Sequence, residues 1–161
     1  MKRIMVIGNC GVGKSTFSTK LNHSTNIDLI HLDSYYWKAN WVESKNDEWL
    51  TKVEKLANRP SWIIDGNYGG TMDIRINRAD TIIFLDYPTR KALWRVIKRI
   101  YKYWGKTRPD MPENCNERFD LHFIIYVALF NFKRKRNILN KLSLQKGKKN
   151  IFIFQNDKQV T

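Results

Sequence analysis

Gly8-Asn9-Cys10-Gly11-Val12-Gly13-Lys14-Ser15 reads G-x-x-x-x-G-K-[ST], and no other octapeptide of the chain constrains its architecture so tightly. Glycines at these positions let the backbone curl until successive N–H groups face phosphate oxygens. The helix that follows adds the positive end of its dipole. Lys14 is then set to reach β- and γ-phosphates, the Ser15 hydroxyl to ligate Mg²⁺, and Thr16 to continue the nucleotide-binding run. The flanks suit the motif. Lys2 to Ile7 is an apolar, β-branched run fit for a buried parallel strand, and Lys14 to Leu21 opens a helix. The implied ligand is a nucleoside triphosphate, taken here as ATP, with Mg²⁺.

At 161 residues the chain is expected to form one domain, 1–161, and 42% hydrophobic content argues for a packed core rather than disorder. The longest apolar stretch, residues 121–132, is broken by His122 and Asn131 and falls short of the ~18 residues of a membrane span. Met1 leads straight into the first strand, which leaves no room for a signal peptide. Cys10 and Cys115 supply neither a disulfide framework nor a zinc spacing. A cytoplasmic protein is expected. The charge is lopsided, because residues 90–149 hold 17 Lys/Arg against 4 Asp/Glu while residues 1–89 hold 11 against 10. That segment calls for an acidic partner, either a polyphosphate or nucleic acid, unless it is simply a solvated face.

Five apolar strands alternate with helices. Strand signals fall at 2–7, 28–32, 61–64, 80–85 and 150–154, and helical spacing at 44–57, 89–104, 117–132 and 133–144. In the first of these helices Trp49, Val53 and Leu56 share a face. In the second the apolar stripe is Ala92, Leu93, Val96, Ile97 and Ile100. The pattern predicts an α/β fold with a parallel sheet covered on both faces. Asp33, Asp65 and Asp86 each close a strand signal, at the sheet end where ligands of such folds bind. Asp33 and Asp65 are candidates for holding Mg²⁺ or taking a proton, whereas Asp86, followed by Tyr87-Pro88, reads as a turn residue. No N-K-x-D base-reading motif is present, and no glutamate follows Asp65 or Asp86 to activate water. GTPases and motor ATPases are thereby disfavoured and small kinases favoured.

With these motifs together the chain resembles the nucleoside monophosphate kinase-like P-loop proteins, and more closely the bacterial DNA topology modulation (FlaR-like) family. The segments that carry the likeness are Lys2 to Gly8, the phosphate loop, His31-Leu32-Asp33 with Trp37-Lys38 and Trp41, and Trp62 to Tyr68. It continues through Arg75, Ala79 to Asp86, Trp94-Arg95, Lys98-Arg99, and Thr107-Arg108-Pro109-Asp110 up to Phe119-Asp120. The resemblance implies a P-loop NTPase three-layer sandwich of the adenylate kinase type. Its five parallel strands would run in the order 2-3-1-4-5, with a short lid at about 105–117 and an acceptor-side segment at about 33–58. By the same likeness Asp65 would reach the Mg²⁺ water shell. Arg95 would lie over the base and Arg99 on phosphate, and Arg108 is the arginine expected to swing in from the lid.

Two departures stand out. Residues 33–58 hold no arginine to grip an acceptor phosphate, but do hold Tyr35, Tyr36, Trp37, Trp41 and Trp49, surfaces that suit a sugar or base. The sequence also stops seven residues past Phe154, so the loop at 155–158 beside the adenine is expected to be frayed. The resulting expectation is an ATP-dependent small-molecule kinase. Gly8, Asn9, Cys10, Gly11, Val12, Gly13, Lys14, Ser15, Thr16, Arg95 and Arg99 would bind nucleotide, and Ser15 and Asp65 would serve the metal. Lys14, Asp33, Arg99 and Arg108 would be catalytic, with Asp33 taking a proton from an uncharged hydroxyl acceptor. The alternative is a nucleic-acid-associated DNA topology modulator with a regulatory nucleotide site, contacting DNA through 90–149. A third is an NTP-binding scaffold without catalysis.

Overall fold

A computed structural model describes residues 1–160. Five strands form one parallel sheet: β1 (Arg3–Gly8), β2 (Leu29–His31), β3 (Trp62–Asp65), β4 (Thr81–Leu85) and β5 (Asn150–Phe154). Their order in space is β2-β3-β1-β4-β5, which is 2-3-1-4-5 along the chain, and every pairing is parallel. A two-residue hairpin, Trp37–Lys38 against Val42–Glu43, stands outside this sheet.

Side chains of β1 alternate between two cores, as a strand buried on both faces requires. Met5 and Ile7 pack with Trp49, Val53, Met72, Ile76 and Ile138. Ile4 and Val6 pack with Val12, Ala92, Val96 and Val127. The first face is covered by α3 (Asn46–Ala57), α4 (Met72–Arg78) and α7 (Arg136–Ser143). The second is covered by α1 (Lys14–Thr25), α5 (Thr89–Lys102) and α6 (Leu121–Phe130). The result is a three-layer α/β sandwich. One further short helix, α2 (Leu32–Tyr36), lies between β2 and the hairpin.

Several elements differ from the sequence expectation. The strand signal at 28–32 ends at His31, so Asp33 sits in the first turn of α2 rather than at a strand end. Helix α4 has no counterpart in the sequence reading. The helices expected at 117–132 and 133–144 are instead α6 and α7, joined by a π-helical turn at Asn131–Lys135 with helical dihedrals at both ends. In α5, Ala92, Val96 and Ile100 are buried, whereas Ile97 is 58% exposed. The loop at 155–158 is ordered rather than frayed: Asp157–Gln159 forms a turn, and Gln155 N–H donates to Gln159 Oε1 at 2.7 Å.

Candidate nucleotide and acceptor site

The phosphate loop spans the exit of β1 and the entry of α1, at the centre of the sheet. Gly8 and Gly11 are steric necessities. At Gly8 an added Cβ would stand 2.6 Å from the Leu85 carbonyl, and at Gly11 it would strike the Ala92 carbonyl. Asn67 braces the loop from β3's exit, accepting from Gly8 N–H (3.1 Å) and donating to the Gly8 carbonyl (2.7 Å). Asn9, 2% exposed, donates to the Val127 carbonyl at 2.9 Å and so anchors the loop to α6. No side chain caps α1, which leaves its first N–H groups for an anion. Lys14 Nζ is folded back onto the carbonyls of Gly8 (3.1 Å) and Asn9 (3.0 Å). Burial pushes the Cys10 thiol up and outweighs the pull of Lys14, so the thiol stays protonated.

Four oxygen-bearing side chains converge beside the loop. Asp65, at the end of β3, has His31 Nδ1 at 3.0 Å from each carboxylate oxygen. Burial opposes protonation of His31, but its hydrogen bond to Asp65 and the charges of Asp65, Asp110 and Asp33 raise its pKa overall. Asp33 Oδ1 accepts from the Tyr68 hydroxyl at 2.6 Å, and burial with the Asp33 charge pushes that hydroxyl's pKa far up. Ser15 Oγ donates to Asp110 Oδ2 at 3.2 Å, an approach the sequence reading did not foresee. Among the described residues no cluster of three or more His, Cys, Asp or Glu forms a metal cage. Mg²⁺ needs none, since it is commonly held by one or two protein oxygens together with phosphates and water. A Ser15 hydroxyl next to a carboxylate fits that donor set.

The arginines are held by carboxylates. Glu117, 5% exposed, has Arg99 Nη2 2.9 Å from Oε1 and Arg108 Nε 2.8 Å from Oε2, while Arg108 Nη1 lies 3.1 Å from Asp110. Arg95 donates to the Val12 carbonyl (2.9 Å) and to Asp157 (2.9 Å), so its guanidinium ties the post-β5 turn to the phosphate loop. Lys91 joins the same carboxylate at 2.6 Å. Asp86, read as a turn residue, is 2.8 Å from Lys135 and pins the π-helical turn to the end of β4.

Two cavities meet here. One, about 900 Å³, wraps the phosphate loop and is also lined by Arg95, Asp110 and Asp157. The other, about 780 Å³, is walled by Tyr36, Trp37, Trp41, Tyr68, Phe123 and Tyr126. Lys14, Asp33, Arg99 and Arg108 line both. The segment 33–58 contains no arginine that could face an acceptor. The fold instead brings Arg118 and Arg134 into the aromatic cavity from outside that segment, with Arg134 4.7 Å over the Tyr126 ring. Trp49 is core, 6% exposed against Tyr36 and Tyr68. Behind this wall lies Arg75, fully buried, whose guanidinium donates to the carbonyls of Gly66 (2.7 Å), Asn67 and Tyr68 (3.0 Å). Burial lowers its pKa to about 9, so it remains charged at neutral pH. Asn67, Arg75, His31, Asp110 and Glu117 are the supporting residues that the sequence reading gave no role.

No protein-family model and no curated protein matches this chain. Among solved structures, the shikimate kinase of Aquifex aeolicus VF5 is similar over 98% of this chain and 90% of its own, with a TM-score of 0.56 and 19% identity. The shikimate kinase of Bacteroides thetaiotaomicron is similar over 97% of this chain and 87% of its own, with a TM-score of 0.55 and 17% identity. At these identities the likeness is one of fold, and the fold is that of an α/β P-loop protein with a five-stranded parallel sheet.

Proposed function

We propose that the chain is a kinase that transfers the γ-phosphoryl group of ATP to a hydroxyl of a small molecule seated in the aromatic cavity. The observation that carries this reading is the junction: the charged side chains of Lys14, Asp33, Arg99 and Arg108, together with Cys10 and Gly66, line both a phosphate-loop cavity and an aromatic cavity. Phosphoryl transfer asks chiefly for positioning and charge neutralisation between two ligands, and cations at that boundary supply both. Asp33 has one oxygen oriented by Tyr68 and the other without a protein partner among the described residues, which suits a group that accepts the proton of an attacking hydroxyl. Mg²⁺ bound with the nucleotide would be held from the Ser15 side and would neutralise phosphate charge.

The expectation of an uncharged acceptor rested on the lack of arginine in 33–58. Arg118 and Arg134 line the cavity without a carboxylate partner among the described residues, and this favours an acceptor that bears an anionic group besides its hydroxyl. The second reading, a DNA-associated protein as in the topology modulation family, draws on the basic segment. Six of that segment's 17 cations are paired with carboxylates of the protein itself. Lys91 and Arg95 face Asp157, Arg99 and Arg108 face Glu117, Lys135 faces Asp86 and Lys141 faces Asp73. The kinase reading therefore ranks first.

A coupled ADP-release screen over sugars, nucleosides, hydroxy acids and monophosphates tests it. One acceptor should support turnover, and Asp33→Asn should cut that turnover by roughly 10²–10⁴-fold with ATP affinity nearly unchanged. A fully active Asp33→Asn variant removes Asp33 from the chemistry.

A further inference from the structure

We propose that Asp110, carried on the 105–117 segment, is the carboxylate that grips the nucleotide's Mg²⁺ beside Ser15, so that metal binding and seating of this segment are one event. The inference rests on the phosphate-loop reading and adds to it a residue and a coupling.

Geometry is the first support. Two neighbouring oxygens on an octahedral Mg²⁺, each about 2.1 Å from the ion, stand about 3.0 Å apart. Ser15 Oγ and Asp110 Oδ2 are 3.2 Å apart, which is the separation of such a pair. The second support is availability. Asp65 is 4% exposed and presents both oxygens to His31 Nδ1. Asp33 has Oδ1 held by Tyr68, and its other oxygen is the one assigned above to the acceptor's hydroxyl proton. Asp110 uses only Oδ2, toward Ser15 and Arg108, and its other oxygen has no partner among the described residues. Of the three carboxylates it is also the one that does not come from the rim around β2 and β3. It arrives with a segment fastened at its far end, where Trp41 Nε1 donates to the Asn116 carbonyl at 3.0 Å and Cys115 Sγ to the Lys38 carbonyl.

Electrostatics give the coupling its sign. A carboxylate in the cavity that wraps the phosphate loop repels a bare triphosphate and attracts one that carries a divalent cation. Asp110 therefore disfavours ATP alone and favours Mg-ATP, and the metal holds the 105–117 segment in its seat against the repulsion between Asp110 and the phosphates. By linkage, the metal tightens nucleotide binding by as much as the nucleotide tightens metal binding.

Calorimetric titration of ATP, once with EDTA and once with excess Mg²⁺, tests this on the intact chain. In the wild type Mg²⁺ should tighten ATP. In Asp110→Asn, which keeps the side-chain shape, Mg-ATP should bind about 10–100-fold more weakly, while metal-free ATP binds as well as or better than to the wild type. Asp110→Glu should retain most of the metal dependence, and Glu113→Gln, at an exposed carboxylate of the same segment, should leave both affinities unchanged. A misfolded variant would lose both forms of ATP together. For an Asp110→Asn variant with the urea midpoint of the wild type, equal loss of both forms, or no change in either affinity, overturns the assignment. Absence of ATP binding to the wild type in both buffers overturns the phosphate-loop reading itself, and this inference with it.

Discussion

Arg75 offers the largest effect that a single conservative substitution should produce away from the nucleotide. Its guanidinium is wholly buried and fastens the turn after β3, where Tyr68 takes a left-handed φ of 34° that a non-glycine residue adopts only when held there. The carbonyls of Gly66 and Asn67 have no donor other than Arg75 among the described residues, whereas that of Tyr68 also accepts from Thr71 N–H at 3.0 Å. Arg75→Met keeps most of the volume and removes every donor. The buried Gly66 carbonyl and the part-buried Asn67 carbonyl then go unpaired, at up to about 1–3 kcal/mol each, or up to about 6 kcal/mol in all. Methionine also relieves the desolvation cost of a buried charge, which brings the expected loss to about 2–4 kcal/mol. Against a typical total of about 5–15 kcal/mol, that is a large shift of the urea midpoint followed by tryptophan fluorescence. Arg75→Lys, with donors but no fork, should lose about half as much. The loss should reach the site too. Asn67 braces Gly8 and Tyr68 orients Asp33, so Arg75→Met should weaken ATP binding as well. A stability change within about 0.5 kcal/mol, the range of an ordinary surface substitution, would refute the reasoning.

Lys14→Ala should abolish ATP binding by calorimetry while leaving the urea midpoint nearly unchanged, because Lys14 Nζ touches only loop carbonyls. Unaltered ATP affinity in that variant would dismiss the phosphate-loop reading. Fluorescence anisotropy should show duplex DNA binding that is weak, falls steeply with salt and is competed by ATP. Binding tighter than the ~10⁻⁴ to 10⁻⁶ M of non-specific contacts at physiological salt, unaffected by ATP, would promote the DNA reading. Asp80 gives a pH test. Its partial burial opposes ionisation, but N–H donors of Arg3 and Lys2, the Thr81 hydroxyl and the N-terminal ammonium outweigh it and hold its pKa down. A depressed carboxylate pKa stabilises the fold above the unfolded value of about 3.9, and the contribution fades as pH falls through the folded value. The stability gap between wild type and Asp80→Asn should therefore narrow from about pH 6 to about pH 2.5, and a gap constant with pH would contradict it.

What the sequence made legible is what short-range rules encode. The phosphate loop, the five strands and the buried face of α3 each follow from residues close together in the chain, where sterics and a 2.0 or 3.6 period act directly. The same rules misplace Ile97, since a 3.6 period marks the centre of an apolar face but not its width. Ile97 stands about 100° round the helix from the buried Val96 and points to solvent. The helix α4 was missed because Met72–Arg78 is too short to show a period, and its Arg75 looks like any surface charge until the fold buries it. The site suffers most from this limit. Ser15 meets Asp110 across 95 residues, Lys91 and Arg95 meet Asp157 across more than 60, and Gly8 meets Asn67 across 59. None of these pairs has a spacing rule, because each depends on which loops the parallel order β2-β3-β1-β4-β5 brings to one end of the sheet. The segment 33–58 offers its cavity no arginine, while Arg118 and Arg134 reach the same cavity from residues 60 or more positions further along the chain. Motifs can therefore nominate the groups that touch phosphate. The carboxylates and arginines that hold those groups follow from topology.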